Sequence, residues 1–427
     1  MSAPRSSVLP AAILEPARWL PTGAVAYARM LELINRATVS IRCETYIWGH
    51  DAVGARFLSA LTQAAASGVR VQILIDGAGS SGLPDDYWCA LHQAGGEARV
   101  FNPLTLANFS LRNHRKLLLI DDRVAITGGF NLAAEYDGDG VTGGWRDLGL
   151  ELHDPRALRQ LADSFDHLFS EHRVRRWFLR SLQSATQANP FSRGAPGPVL
   201  FSGPHLGRNQ FTHQLLRSLR HARHVRIVSA YFVPGFRLRR ALRTVARRGG
   251  HVELLLAGRT DVPLAQSAAR SLYGSLLKAG IRIWEYQPQV LHTKLTIIDD
   301  AVFVGSANLD ARSLSINYEL TVHLCDPLLT EAADAIFKAD LAHAHAVTFD
   351  DWRASRTWFT RLHGAWARFL LARVDPWLAR RQIRRIRERK SSCQLRRFPA
   401  QLRLRVPCFA SSSRPTSPPP SSATPSR

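Results

Sequence analysis

The chain has 427 residues, and 56 Lys plus Arg against 34 Asp plus Glu give it a formal charge of +22. A surface of that sign draws anionic partners such as nucleic acid, anionic lipid headgroups or polyphosphates. With 45% hydrophobic and 21% charged residues the composition excludes collagen-like and largely disordered chains, and the length predicts two or three domains with a sizeable core.

In chain order, the N-terminal segment 1–23 holds an apolar patch, Ala11 to Leu14, that Glu15 and Pro16 cut short. No run approaches the ~20 apolar residues of a spanning helix, so any membrane contact is expected to be peripheral. The five cysteines, Cys43, Cys89, Cys325, Cys393 and Cys408, are odd in number, far apart and form no Cys-x-x-Cys pair. They suggest neither a disulfide framework nor a zinc site, and fit a reducing, cytoplasmic environment.

From residue 24 the chain repeats itself. The first unit, predicted over 24–195, reads VSIRCETYIW, a helix-like stretch, GVRVQILIDG, AGGEARVFNP and HRKLLLIDDRVAITGGFN. The second, over 196–350, reads VRIVSAYFVP, RLRRALRTVARRG, HVELLLAG, AGIRIWEYQP and HTKLTIIDDAVFVGSAN. Short β-branched runs alternate with amphipathic segments that end near Gly68 and Gly249, which predicts strand, helix, strand, helix, strand and hairpin in each unit. The expected fold class is α/β, as two similar lobes with central sheets.

The copies differ in length beside the motif: Pro103 and His114 are 11 positions apart, Pro288 and His292 only 4. The first copy therefore carries an extra loop, Leu104 to Asn113, either a surface insertion or, through Phe109 and Leu111, the lining of a substrate entrance. Gly138, Gly140 and Gly143 spell Gly-x-Gly-x-x-Gly but precede a strand, so they predict a flexible loop and not a dinucleotide site.

Beyond the second repeat, 351–390 is rich in Trp, Leu and Arg and ends in VDPWLARRQIRRIRERK. Trp366, Phe369, Leu370, Trp377 and Leu378 interleave with the charges, as suits a helix on an anionic bilayer or one packing an apolar stripe on the core. Pro376 is expected to divide it into two pieces. In the remaining segment, 391–427, the run from Ser411 to Arg427 is Ser, Pro and Thr, which predicts a disordered tail.

The most specific signal is His-x-Lys-x-x-x-x-Asp, present as His114, Lys116, Asp121 and again as His292, Lys294, Asp299. A small-residue turn and an asparagine follow each copy: Gly128, Gly129, Asn131 and Gly305, Ser306, Asn308. Positions i and i+2 of a strand share a face, so each histidine and lysine emerge together. Asp121 and Asp299 complete the expected catalytic set of each motif, although they sit at odd offsets in Asp-Asp turns and need not face the pocket, as turn residues or as residues that order the motif. About a pseudo-twofold axis the repeats would set two imidazoles across one cleft, an arrangement suited to a phosphodiester. One neutral histidine attacks phosphorus and the other, protonated, gives a proton to the leaving alcohol. Lys116, Lys294, Asn131, Asn308 and Ser306 would hold the nonbridging oxygens. Asp147, in WRDLGLEL, and Glu319, in INYELTVH, are the candidates to orient the imidazoles.

The segments HRKLLLID, TGGFN, HTKLTIID and VGSANLDARS resemble the phospholipase D superfamily. With ETYIW, RVQILIDG and WRDLGL, they resemble in particular its bacterial cardiolipin synthase branch, in the shorter form that lacks N-terminal transmembrane helices. The resemblance runs from about Ala24 to Phe349. It implies two α/β lobes sharing one active site, no cofactor and no metal, a phosphatidyl-histidine intermediate on His114, and His292 as general acid and base. It also implies an anionic phospholipid membrane (phosphatidylglycerol, cardiolipin) as partner, with no nucleic acid expected, and a peripheral position on the cytoplasmic face of the inner membrane. Hydrolysis of a phospholipid or nucleic acid phosphodiester is the alternative, because the choice depends on whether water reaches the intermediate.

Overall fold

A computed structural model describes residues 17–103, 111–170, 197–203, 209–379 and 381. The tail, the basic run at 382–390 and loop residues 104–110, Phe109 included, lie outside them.

Two mixed sheets form the centre. The first is ordered β1-β7-β6-β5-β2-β3-β4 and the second β15-β11-β10-β9-β12-β13-β14-β8. In the first, β2 (Ser40–Thr45), β3 (Arg70–Asp76) and β4 (Glu97–Phe101) are parallel, and β5 (Leu117–Ile120), β6 (Val124–Gly128) and β7 (Gly149–Leu152) form an antiparallel meander beside them. The second repeats this plan with β9 (His224–Ser229), β10 (His251–Arg259), β11 (Arg282–Val290), β12 (Lys294–Ile298), β13 (Ala301–Gly305) and β14 (Glu319–Cys325). Outer strands β1 (Ala17–Leu20) and β8 (Val199–Ser202) occupy equivalent edges, and β15 (Ala344–Ala346) is an addition to the second sheet. Ala17–Leu20 therefore belongs to the first sheet, although the sequence suggested a separate segment 1–23. Trp19 also donates from its indole to Leu329 O of the other lobe, at 3.0 Å.

Local signals place the helices. Thr22, Asp51, Asn209 and Asp326 cap helices Gly23–Arg36, Ala52–Ala66, Gln210–Ser218 and Pro327–Leu341, each side chain accepting a backbone N–H of the first turn. Gly68 and Gly249, at φ of 89° and 88°, follow Ala52–Ala66 and Phe236–Arg247, where a left-handed residue ends the helix at no steric cost.

Both faces of each sheet are buried, which is why the motif strands read as unbroken apolar runs. Leu117 and Leu119 point into the core shared by the lobes, where Leu295, Ile297, Val302 and Val304 meet them. Leu118 and Ile120 point outward, under the helices of their own lobe. Each such side chain contributes ~1.5–3 kcal/mol, so the lobes share one hydrophobic interior. Leu111 is buried there too, which removes it from any substrate entrance.

The Gly138 to Gly143 loop is not loose. Asp139 accepts from the backbone N–H of Val141, Thr142 and Gly143 and from the Thr142 hydroxyl, while the Tyr286 hydroxyl donates to Gly140 O across the lobes. The hydrogen bond from Thr142, followed by those from the backbone, holds the Asp139 carboxyl well below the usual range.

Pro376 does not break the C-terminal helix. Helix Trp358–Phe369 passes into a π-helical turn, Leu370–Val374, and helical backbone resumes at Asp375. In the wider turn Asp375 N donates five residues back, to Leu370 O, which makes room before the proline ring.

Candidate active site

Two backbone exchanges between the lobes build the site. Asn113 forms a parallel bridge with Tyr318, and His114 N donates to Tyr318 O at 2.9 Å. Arg146 forms the matching bridge with Leu291, and His292 N donates to Arg146 O at 2.8 Å. The residue after each bridging residue, Glu319 or Asp147, is thereby carried to the histidine of the other lobe.

His114 Nδ1 lies 3.1 Å from Glu319 Oε2 and 3.2 Å from Ser306 O, and His292 Nδ1 lies 2.6 Å from Asp147 Oδ2. The carboxylates at both Nδ1 positions favour the proton there, so that Nε2 of a neutral ring keeps its lone pair. The carboxylates are completely buried and His292 nearly so, while the His114 side chain keeps 12% of its surface exposed.

Lys116 and Lys294 are buried beside them. Lys116 Nζ donates to His114 O at 2.8 Å. Lys294 Nζ stands 2.7 and 3.0 Å from the two ring nitrogens of His292 and also donates to its carbonyl. Burial lowers the Lys116 ammonium to about 7 and the Lys294 ammonium to about 8, with Glu319 and Asp147 opposing the shift. Burial also lowers both imidazoles. For His114 the Glu319 charge offsets it in part and Lys116 adds to it, whereas for His292 Lys294 adds to it and the charge and hydrogen bond of Asp147 oppose it. The cleft thus concentrates proton donors and positive charge where a phosphate would sit, at a desolvation cost that an anion would relieve.

Aromatic rings wall the cleft. Tyr46 lies 5.0 Å from the His114 ring centroid, and Tyr136, Trp145 and Tyr231 lie 5.1, 5.6 and 6.5 Å from that of His292. Tyr46 and Tyr231 are repeat equivalents, but the Tyr231 hydroxyl donates to Asp261, within 2.8 Å of both carboxylate oxygens.

Other expected site residues sit elsewhere. Asp121 and Asp299 lie at the far ends of the strands that leave the motif lysines, outside the cleft, and the catalytic expectation for them gives way to a structural one. Asp121 accepts from the N–H groups of Thr38, Val39 and Ser40 and from the Thr38 hydroxyl. Although partial burial raises its pKa, these bonds together bring the carboxyl below its ordinary value. Asp299 does the same for Arg223 and His224. Each aspartate pins its hairpin to the start of the neighbouring strand.

Asn131 is committed as well: Oδ1 accepts from Ile47 N, Nδ2 donates to the Tyr136 hydroxyl, and its carbonyl accepts from Tyr27. The Ser306 hydroxyl donates to Glu319 Oε2 at 2.5 Å and accepts from Leu320 N. Both residues support the cleft instead of reaching for phosphate. Asn308 differs, because no hydrogen bond among the described residues engages its Nδ2 donor, and its buried Oδ1 acceptor has no partner there either.

Behind the histidines lies a supporting layer that no motif announces. Asp76 ends β3 fully buried, accepts from Asn113 N at 2.8 Å and pairs with Arg112 at 3.3 Å. Glu44 on β2 accepts from Asn113 Nδ2 at 2.6 Å and pairs with Arg115 at 3.1 Å. Buried carboxylates grip both sides of His114 in sequence; Asp76 was visible as an acid closing an apolar run, whereas Glu44 lies in the mixed strand SIRCET, which carries no such signal. Arg146 likewise ties the WRD segment to Asp340 at 2.7 Å and to its own neighbour's carbonyl.

The comparisons agree with this architecture. A family model described as "Cardiolipin synthase, PLD-like domain" matches residues 30–169 and 215–341. Cardiolipin synthase B of Salmonella typhi is 35% identical over 314 residues, 72% of this chain and 76% of that protein. Cardiolipin synthase of Clostridium perfringens strain SM101 is 32% identical over 342 residues, 76% and 70% of the two chains. Among solved structures, phosphatidylserine synthase of Haemophilus influenzae superposes with a TM-score of 0.66 at 14% identity, over 85% of this chain and 95% of that one, a likeness of fold. The chain belongs to the phospholipase D-like superfamily, in its cardiolipin synthase branch.

Proposed function

We propose that this protein is a cardiolipin synthase that moves a phosphatidyl group from one phosphatidylglycerol to another through a covalent phosphohistidine. The observation that carries the reading is the pair of imidazoles, each held at Nδ1 by a buried carboxylate from the opposite lobe, so that both Nε2 atoms serve one cleft. In the first step His114 Nε2 attacks phosphorus, the bond from phosphorus to the glycerol headgroup oxygen breaks, and protonated His292 gives that oxygen its proton. In the second, the headgroup hydroxyl of another phosphatidylglycerol loses its proton to His292, attacks phosphorus and releases His114. The products are cardiolipin and glycerol, with every proton returned.

Two features support the division of roles. Glu319 already accepts from Ser306 and Asn317, which dilutes its hold on the His114 proton and favours a neutral nucleophile. Asp147 approaches His292 more closely and stabilises an imidazolium. Burial and Lys294 oppose that protonation, and the single negative charge of a bound phosphodiester would offset them. Lys116, Lys294 and Asn308 are the groups proposed to hold the nonbridging oxygens. The relatives named cardiolipin synthase support the choice of substrate. We place the enzyme at the periphery of an anionic membrane, on the cytoplasmic face of the inner membrane; among the described residues no helix is long and apolar enough to cross one.

Incubating the purified protein with phosphatidylglycerol vesicles and separating the lipids by mass spectrometry tests this. Cardiolipin and glycerol should appear, and neither should form with His114→Ala. Phosphatidic acid as the sole product would make the protein a hydrolase.

A further inference from the structure

We infer that the outward face of the C-terminal helical segment, Trp358 to Leu378, is the surface on which this protein docks to an anionic bilayer. The inference rests on the phospholipid reading above and assigns it a place on the molecule.

Helix Trp358–Phe369 attaches to the body by a seam of small residues. Ala367 packs with Ala268 and Val233, and a side chain on Gly364 would meet Ser267 O and Ser271 Cβ of helix Pro263–Leu277 at 3.1 Å. The large apolar residues turn the other way. Trp358, Phe359, Leu362, Trp366 and Phe369 are 54–74% exposed, and their spacings of one, three, four and three residues form one stripe. A helix packing its apolar stripe on the core would show the reverse. Every exposed tryptophan among the described residues falls in this segment: Trp358, Trp366 and Trp377. Leaving such a stripe in water is unfavourable and marks a surface that something covers.

Charge identifies the occupant. Arg361, Arg368 and Arg373 interleave with the stripe, and Asp375 is the one acid between 358 and 378. The adjoining helix Phe236–Arg247, FRLRRALRTVAR, contains no acid and begins with an exposed phenylalanine. Arg239 on that helix feels the charges of Arg368 and Arg243, so the two helices share one basic field. Arginines flanking outward Trp, Phe and Leu match a bilayer, whose headgroups carry negative charge and whose acyl boundary accepts the apolar tips. Phosphates of a nucleic acid would satisfy the arginines but would leave Leu362 and Leu378 in water.

The segment is also fastened to the rim of the cleft. Asp375 accepts from Arg312 at 3.0 Å (Nε) and 2.7 Å (Nη2), and Arg312 stands four residues after Asn308 on the loop that follows β13. A docked helix would thus hold the wall of the active site against the lipid surface.

Flotation of the full chain with vesicles tests the proposal. Wild-type protein should partition to phosphatidylcholine vesicles containing phosphatidylglycerol and not to pure phosphatidylcholine. Phe359→Ser with Trp366→Ser should reduce that partition roughly tenfold or more, with the melting curve and the turnover of a short-chain, monomeric phosphatidylglycerol unchanged. Unchanged partition of the double variant, or equal partition to neutral vesicles, would overturn the proposal. So would loss of a dimer, or of binding to a DNA duplex, while vesicle binding persists. Docking without turnover of any lipid would uphold the surface and count against the phosphatidyl transfer.

Discussion

His114 and His292 each direct Nδ1 at a carboxylate that the other lobe supplies, Glu319 at 3.1 Å and Asp147 at 2.6 Å, which turns Nε2 toward the cleft, where that of His292 meets Lys294 Nζ at 3.0 Å. Replacing the orienting group should therefore act on the chemical step. Asp147→Asn and Glu319→Gln are each expected to lower kcat by about 10²–10⁴-fold with little change in KM, measured by steady-state kinetics; a rise in KM alone would contradict an orienting role. The lysines add a pH signature. With their ammonium groups lowered to about 7 and about 8, kcat/KM should fall as pH rises through that range, because phosphate loses its cationic partners. Folding responds in the opposite sense. Each folded-state value, about 7 and about 8, lies below the ordinary ~10.4 of the unfolded chain, so the penalty of burying charge is complete below the folded-state values and is relieved as pH rises from them toward ~10.4. Lys116→Met should accordingly raise the melting temperature at pH 6.5 by a few degrees while turnover is lost. These pairs were legible because they occur twice. The crossing of the carboxylates was not, since Asp147 follows His114 along the chain and only the Arg146 to Leu291 bridge brings it to His292.

At the scale of elements, the motif divides its labour along one strand. The histidine and lysine ends form the cleft, and Asp121 and Asp299 at the other ends adopt φ of 52° and 48°, a backbone region aspartate tolerates better than most residues. Asp121→Ala leaves three backbone donors and a hydroxyl without their acceptor and should destabilise the fold by about 1–3 kcal/mol, seen in denaturant titration, while the folded fraction keeps its kcat. A loss of kcat with stability intact would return Asp121 to the chemistry. The strands themselves were readable from runs such as LLLI, since sheets covered on both faces select unbroken apolar sequence. The course of the chain around Pro376 was not readable, because a π-helical turn depends on hydrogen-bond register, which composition does not encode. The glycine loop at 138–143 misled for a related reason: glycine reports backbone freedom, whereas the bonds of Asp139 and Tyr286 remove it.

For the whole molecule, a shared hydrophobic interior and two reciprocal bridges make the lobes one catalytic body. The repeat announced two lobes, yet their dependence on each other lies in contacts between residues about 150 to 200 positions apart in sequence. Because one chain supplies both histidines and both carboxylates, mixing His114→Ala with His292→Ala protein should restore no activity, and recovery would mean that lobes of different chains share a site. The most direct test of the central claim is peptide mass spectrometry of protein quenched during turnover of phosphatidylglycerol. In His292→Ala, where release by the second alcohol is impaired, a phosphatidyl adduct should be found on the peptide carrying His114, and His114→Ala should carry none. An adduct on the His292 peptide of the His114→Ala protein would contradict the assignment of nucleophile and of general acid.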